Sequence, residues 1–257
     1  WINYTQSYYK FKITQTGIHK IDYNTLADAG IPLSTFSTKN IQIFGREKEL
    51  PIYVVDGGDQ VFNQGDYLLF YAQKNDGWLD SLLYIDSVSI GNPTYSLYND
   101  TISYFFTWNN QTNNLRFTYE SFNYQDYPTP APYWLYKLEE SFHSTYIECK
   151  DQNNYLSSSY YLPGEGWSGN IINGVSGFTS TIYANTNSLY TGAGAPLVKF
   201  QGITVSNSNA VNTSTTGTHN HDFSWLIAGS NYLLHTEQYA GYQQKNIVKT
   251  FPAGMLN

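Results

Sequence analysis

At 257 residues the chain has room for one large or two modest domains, each burying its own core. A net charge of -7 and a pI near 5.1, with no Lys/Arg cluster to reverse them locally, exclude nucleic acid as a partner. No apolar run approaches the roughly 20 residues that a membrane-spanning helix needs, and the single cysteine, Cys149, excludes an internal disulfide.

The 25 tyrosines and 14 phenylalanines, set among Gly and Asn with only 13% of residues charged, suit β structure in an extracytoplasmic setting. Lys10 to Ile13 and His19 to Tyr23 flank Gln15-Thr16-Gly17, a spacing that predicts a hairpin. Asn24 is placed to cap a brief helix through Ala29, closed by Gly30, and no other clear helix is expected. Such a helix is marginal alone, so Leu26 must hold it by packing. Short β runs follow at Ile41 to Gly45 and Leu50 to Val54. Tyr67-Leu68-Leu69-Phe70-Tyr71 is nearly all apolar, as in a central strand covered on both faces. Ile102 to Trp108 repeats that pattern, and the polar run 109–114 ends it. The first domain is therefore 1–110, with a connector at 111–134 stiffened by Pro128, Pro130 and Pro132.

The second domain is 135–257. Trp134 to Glu140 leans to strand on its aromatic content, although Leu135 and Leu138 also fit helical spacing. After the Pro163-Gly164 turn, strand candidates recur at Ile171-Ile172, Phe178 to Tyr183, Leu197 to Val205, Asp222 to Ile227, Tyr232 to His235 and Asn246 to Phe251. Their spacing argues for an antiparallel, jelly-roll-like sandwich. Ser206 to Thr218 is small and polar without a periodic face, and reads as a long, mobile loop. The predicted class is mainly β: a small β-rich domain with one short helix, then an antiparallel β-sandwich. The start at Trp1 lacks the basic and apolar regions of a signal peptide and reads as a trimmed chain, and the end at Asn257 reads as a cut.

Few side chains suggest chemistry. His219 and His221, two apart on a strand, would point to one face and could start a metal site, but zinc needs about four ligands and no third has diagnostic spacing. No metal and no cofactor are expected. Cys149 would need His143, His219, His221 or His235 beside it to act as a nucleophile, and a packed thiol is the reading adopted. Glu139 and Glu140 would face opposite sides of a strand, which separates them too far in direction for paired-acid catalysis. Gly164-Glu165-Gly166-Trp167-Ser168-Gly169 lacks a P-loop lysine and reads as a turn with a packing tryptophan. Tyr133, Trp134, Tyr160, Tyr161 and Trp167 are candidate platforms for stacking on sugar rings, the alternative being that they fill sheet interfaces.

The order of phrases along the first half resembles a known family. Ile41-Gln42-Ile43-Phe44-Gly45, Leu50-Pro51-Ile52-Tyr53-Val54, and Phe62 through Gln73 ending at Trp78 are similar to the amino-terminal, non-catalytic region of gingipain-like cysteine peptidases. The likeness is to the sortase of type IX secretion systems. Tyr9 to Tyr23, Leu26 to Ile31, Asn99 to Phe106 and Gly166 to Gly169 extend it, whereas Ile90 to Tyr95 departs from it and the part after Gly169 matches loosely. The family's cysteine and glycine-histidine catalytic motifs are missing. The resemblance implies a non-catalytic scaffold or docking region at the cell surface or outer membrane. Its implied partners are a peptidase domain of the same protein, which would cleave sorting signals and attach cargo, and an outer-membrane secretion protein. The competing reading is an extracellular carbohydrate-binding sandwich using the five rings above.

Overall fold

A computed structural model describes residues 1–121, 123, 125, 127–148, 160–170, 172, 188–206, 221–228, 230–239 and 243–256. The fold is mainly β, with several antiparallel sheets and one short α-helix. It divides into two compact units, Trp1–Asp76 with Tyr98–Pro128, and Gly77–Leu97 with Thr129–Asn257.

The first unit is a two-sheet sandwich. One sheet has the order β1 (Tyr9–Ile13), β7 (Ile102–Trp108), β3 (Ile41–Gly45), β4 (Lys48–Leu50); the other runs β2 (Gly17–Asp22), β6 (Tyr67–Ala72), β5 (Ile52–Val55). The strands expected at 10–13 and 19–23 exist, but they do not form a hairpin. β1 pairs with β7 and β2 with β6, so the residues between them carry the chain from one sheet to the other. Both inward faces, Phe11 and Ile13 on one side and Ile21 on the other, join a single core with Leu68, Phe70 and Phe106. Phe11 meets Phe70 edge-on at 5.7 Å across that core. Burying two half-apolar strands from opposite sheets stabilises more than a local turn between them would.

β6 is central, as expected, but covered on one face only. Leu68, Phe70 and Ala72 are buried while Tyr71, on the other side, is 46% exposed. The helix Tyr23–Asp28 is capped by Asp22 rather than Asn24: the Asp22 carboxylate accepts from the Thr25 N–H at 2.9 Å, which holds its pKa below the usual carboxylate range. Its end is a Schellman arrangement, Gly30 N to Ala27 O and Ile31 N to Leu26 O, with Leu26 and Ile31 both in the core.

The stretch assigned to a connector from 111 belongs in part to this unit. The Arg116 guanidinium donates to the carbonyls of Thr38, Lys39 and Ile41 at 3.0–3.1 Å, and Asn114 Nδ2 donates to Lys39 O. These bonds tie the segment to carbonyls of the 3-10 turn Thr38–Asn40, where Thr38 O also accepts from the Ile41 N–H, and of the β3 start. The first unit therefore continues past residue 110.

The second unit contains β8 (Thr145–Ile147) paired with β9 (Gly166–Ser168), β10 (Leu197–Val205) with β13 (Gln244–Pro252), and β11 (His221–Ile227) with β12 (Tyr232–Tyr239). Its last two ribbons pack face to face through Phe200 and Trp225, 5.1 Å apart, and through Lys245 on Glu237 at 2.8 Å. No strand runs over Trp134 to Glu140, contrary to the sequence reading: the aromatic residues are there but no neighbouring strand is. Phe178 to Tyr183, Ile171 and residues 207–218 lie outside the described residues.

Candidate ligand-binding site

Residues 77–97, beyond β6, build most of one hollow in the second unit. Gly77 starts the segment at φ 80°, and a Cβ there would stand 2.9 Å from Asp80 Oδ2. Two 3-10 turns follow, Asp80–Leu83 and Ser87–Ser89, the second capped by Asp86 on the Ser89 N–H. A cavity of about 100 Å³ opens between this segment and β9, lined by Trp78, Asp80, Tyr84, Asn92, Tyr95 and Trp167 among others.

Its polar groups are already engaged. Asp80, 8% exposed, accepts from Ser96 Oγ at 3.0 Å and from the Leu97 N–H at 2.7 Å. The Tyr84 hydroxyl donates to Glu165 O, and burial pushes its pKa well above the phenol range, with Tyr146, Glu165 and Asp80 adding to the shift. It therefore stays a protonated donor. Trp167 Nε1 donates to Leu97 O at 3.0 Å. Asn92 donates to Phe142 O at 2.8 Å and accepts from Ser141 Oγ at 2.9 Å. Rings close the rest: Trp167 is edge-on to Tyr146 and Tyr95, and Tyr95 stacks on His143 at 4.1 Å.

What such a hollow offers is ring faces with few open hydrogen-bonding groups. Its size falls below the roughly 300–1,000 Å³ of ordinary small-molecule sites. It can house a few waters or one small polar molecule, and an oligosaccharide is too large for it.

Of the five rings singled out in the sequence, the structure brings two together. Tyr161 lies edge-on to Tyr84 at 5.5 Å, and Trp167 lines the same cavity. Tyr133 is half-buried against Tyr190 at 5.3 Å. Trp134 and Tyr160 are 82% and 51% exposed. Glu139 and Glu140 are exposed, Glu139 paired with Lys137. Cys149 and His219 lie outside the described residues, as does the side chain of His221. Among the described residues no group of three or more His, Cys, Asp or Glu could hold a metal. Asp80, Tyr84, Asn92 and Tyr95 were not legible as site residues. The one available signal is a stretch of about twenty residues without periodicity between two strong strands, a length at which loops tend to carry a role of their own.

No known protein family, curated protein or solved structure matches the chain.

Proposed function

We propose that this chain is a non-catalytic scaffold or docking region of an exported peptidase similar to the type IX secretion sortase. It would act at the cell surface by positioning a gingipain-like peptidase domain of the same protein or by docking to an outer-membrane secretion partner. The observation that carries this reading is the internal use of the cavity's reactive groups. The Asp80 carboxylate, Tyr84 hydroxyl and Trp167 Nε1 all bind the chain itself. Side chains so held stabilise a fold, which suits a scaffold role. Further support comes from the phrases behind the family resemblance, which fall on structural elements: Ile41–Gly45 is the wholly buried β3, and Tyr67–Ala72 is β6.

A peptidase assay on sorting-signal and generic peptides tests the reading. No turnover is expected, and turnover that Cys149→Ala abolishes would overturn it. The carbohydrate alternative draws on the exposure of Trp134 and Tyr160. Calorimetry with soluble glycans is expected to show no saturable binding. Binding lost in Trp134→Ala or Trp167→Ala with the fold intact decides for the sugar module.

A further inference from the structure

The hollow beside residues 77–97 carries more negative charge and more rings than packing alone requires. Its lining includes Trp78, Tyr84, Tyr95 and Trp167 together with the carboxylates of Asp80 and Glu165. No Lys, Arg or His stands among the described residues that line it. His143 stacks on Tyr95 but is exposed and outside the lining. Asp80 is 8% exposed, and the bonds it accepts from Ser96 Oγ and the Leu97 N–H both fall on Oδ2. Glu165 accepts from the Leu162 N–H on Oε2. These neutral donors hold the carboxylates in place without cancelling their charge, and a carboxylate taken out of water favours a cation beside it.

The rings decide which cation. Trp167 and Tyr95 stand at 83° with centroids 6.3 Å apart, so their planes form two walls of a corner rather than a stack. A cation within about 6 Å of such ring faces is attracted by their quadrupoles. Acceptors for N–H groups are few, because Leu97 O, Glu165 O and Asn92 Oδ1 already receive Trp167 Nε1, the Tyr84 hydroxyl and Ser141 Oγ. A primary ammonium would bring three donors into this setting, whereas a quaternary one brings none. The cavity's 100 Å³ equals the space of about three waters, at roughly 30 Å³ each, which suits a compact head group.

We propose that this hollow binds a quaternary ammonium head group of the kind choline carries, with Tyr95 and Trp167 as walls and Asp80 and Glu165 as its countercharge. The site goes beyond the scaffold reading and does not rest on it, since the head group undergoes no reaction there.

Calorimetry on the full chain at constant ionic strength is the test. The ligands are choline, tetramethylammonium, methylammonium, tetraethylammonium and neohexyl alcohol, the uncharged carbon analogue of choline. Choline and tetramethylammonium should saturate with a Kd of about 1 mM, the strength that a few ring and charge contacts leave to so small a ligand. Neohexyl alcohol and methylammonium should bind about tenfold more weakly, and the bulkier tetraethylammonium should be excluded. Asp80→Asn keeps an oxygen for the Ser96 and Leu97 donors, and it and Tyr95→Leu should each weaken choline about tenfold. Circular dichroism follows the fold of both. Glu165→Gln, expected to cost about threefold, serves if either unfolds, and the ligand series on the unaltered chain decides without any variant. No saturation by about 50 mM choline overturns the proposal. So does equal binding of neohexyl alcohol, which would make the hollow merely apolar, or methylammonium binding more tightly than tetramethylammonium. Choline binding indifferent to every substitution that leaves the fold intact overturns it as well.

Discussion

The two units use their aromatic residues differently. In the first, Phe70, Tyr104 and Phe106 are at most 2% exposed and lie in one core shared by two sheets. In the second, Tyr84 is the ring buried deepest among the described residues, and Trp167, Tyr161, Phe200 and Trp225 are half-buried, meeting edge to face or tilted. Polar groups such as Asp80 and the Glu237–Lys245 pair share the load there. The first unit is held mainly by apolar area removed from water, while the second depends more on directional contacts.

The largest effect expected from this contrast is in the first unit. Phe70→Ala, at a fully buried position between the sheets, should cost about 3–5 kcal/mol by lost transfer energy and a residual cavity. Hydrogen exchange should show β6 and β7 losing protection while β10 and β13 keep theirs. Equal losses in both units would break the comparison.

Gly45→Ala comes next. A Cβ on Gly45 would sit 2.0 Å from the Tyr104 ring. That ring cannot move freely, because its hydroxyl accepts from Gln73 N at 3.0 Å and donates to Gln73 O at 3.1 Å. Overpacking of this kind should cost about 2–3 kcal/mol, read as a lower denaturant midpoint with an unchanged slope. A neutral result would mean the ring is not fixed over β3.

In the second unit, Trp167→Phe keeps a ring but removes the bond to Leu97 O. About 1 kcal/mol should be lost, with β8 and β9 amides exchanging faster and the first unit unaffected. The smallest effect is electrostatic. Lys245, then His235, hold the Glu237 pKa below the usual glutamate value. A folded pKa lower than the unfolded one means the stabilisation is complete above the unfolded pKa and is lost as pH falls through the folded one. Acidification below the ordinary glutamate range should lower the second unit's melting temperature by an amount worth less than about 1 kcal/mol, since the pair is part-exposed. Glu237→Gln should flatten that slope, and an unchanged slope would remove this pair from the account.

How legible all this was in the sequence depends on how local the cause is. The strands at 67–72, 102–108, 197–205 and 244–252 announce themselves because their own side chains carry the pattern. The helix end was legible for the same reason: Gly30 supplies the positive φ that a Schellman turn needs. The β1–β2 hairpin failed because pairing is decided by distant strands, Tyr9 to Phe106 and Gly17 to Ala72. Trp134 to Glu140 failed the other way, since strand-like residues make no strand without a neighbour. Of the candidate site, Trp167 was visible as a packing ring. Tyr84 and Asp80 were not, because 3-10 turns leave no periodic trace and their partners lie far along the chain at 165 and 96–97.

The departure of residues 77–97 from the first unit governs the order in which the molecule can assemble. β7 lies between β1 and β3 in its sheet, yet it is made only after the chain has visited the second unit and returned at Tyr98. During synthesis, β1, β3 and β4 must therefore wait with open edges and uncovered apolar faces until residue 102 emerges. Pairings this distant in sequence close slowly, and waiting edges invite association with other chains. The same detour means that cutting the chain at residue 128 would not separate two whole units: the front piece would carry Asp80 and Tyr84 away from Glu165 and Trp167.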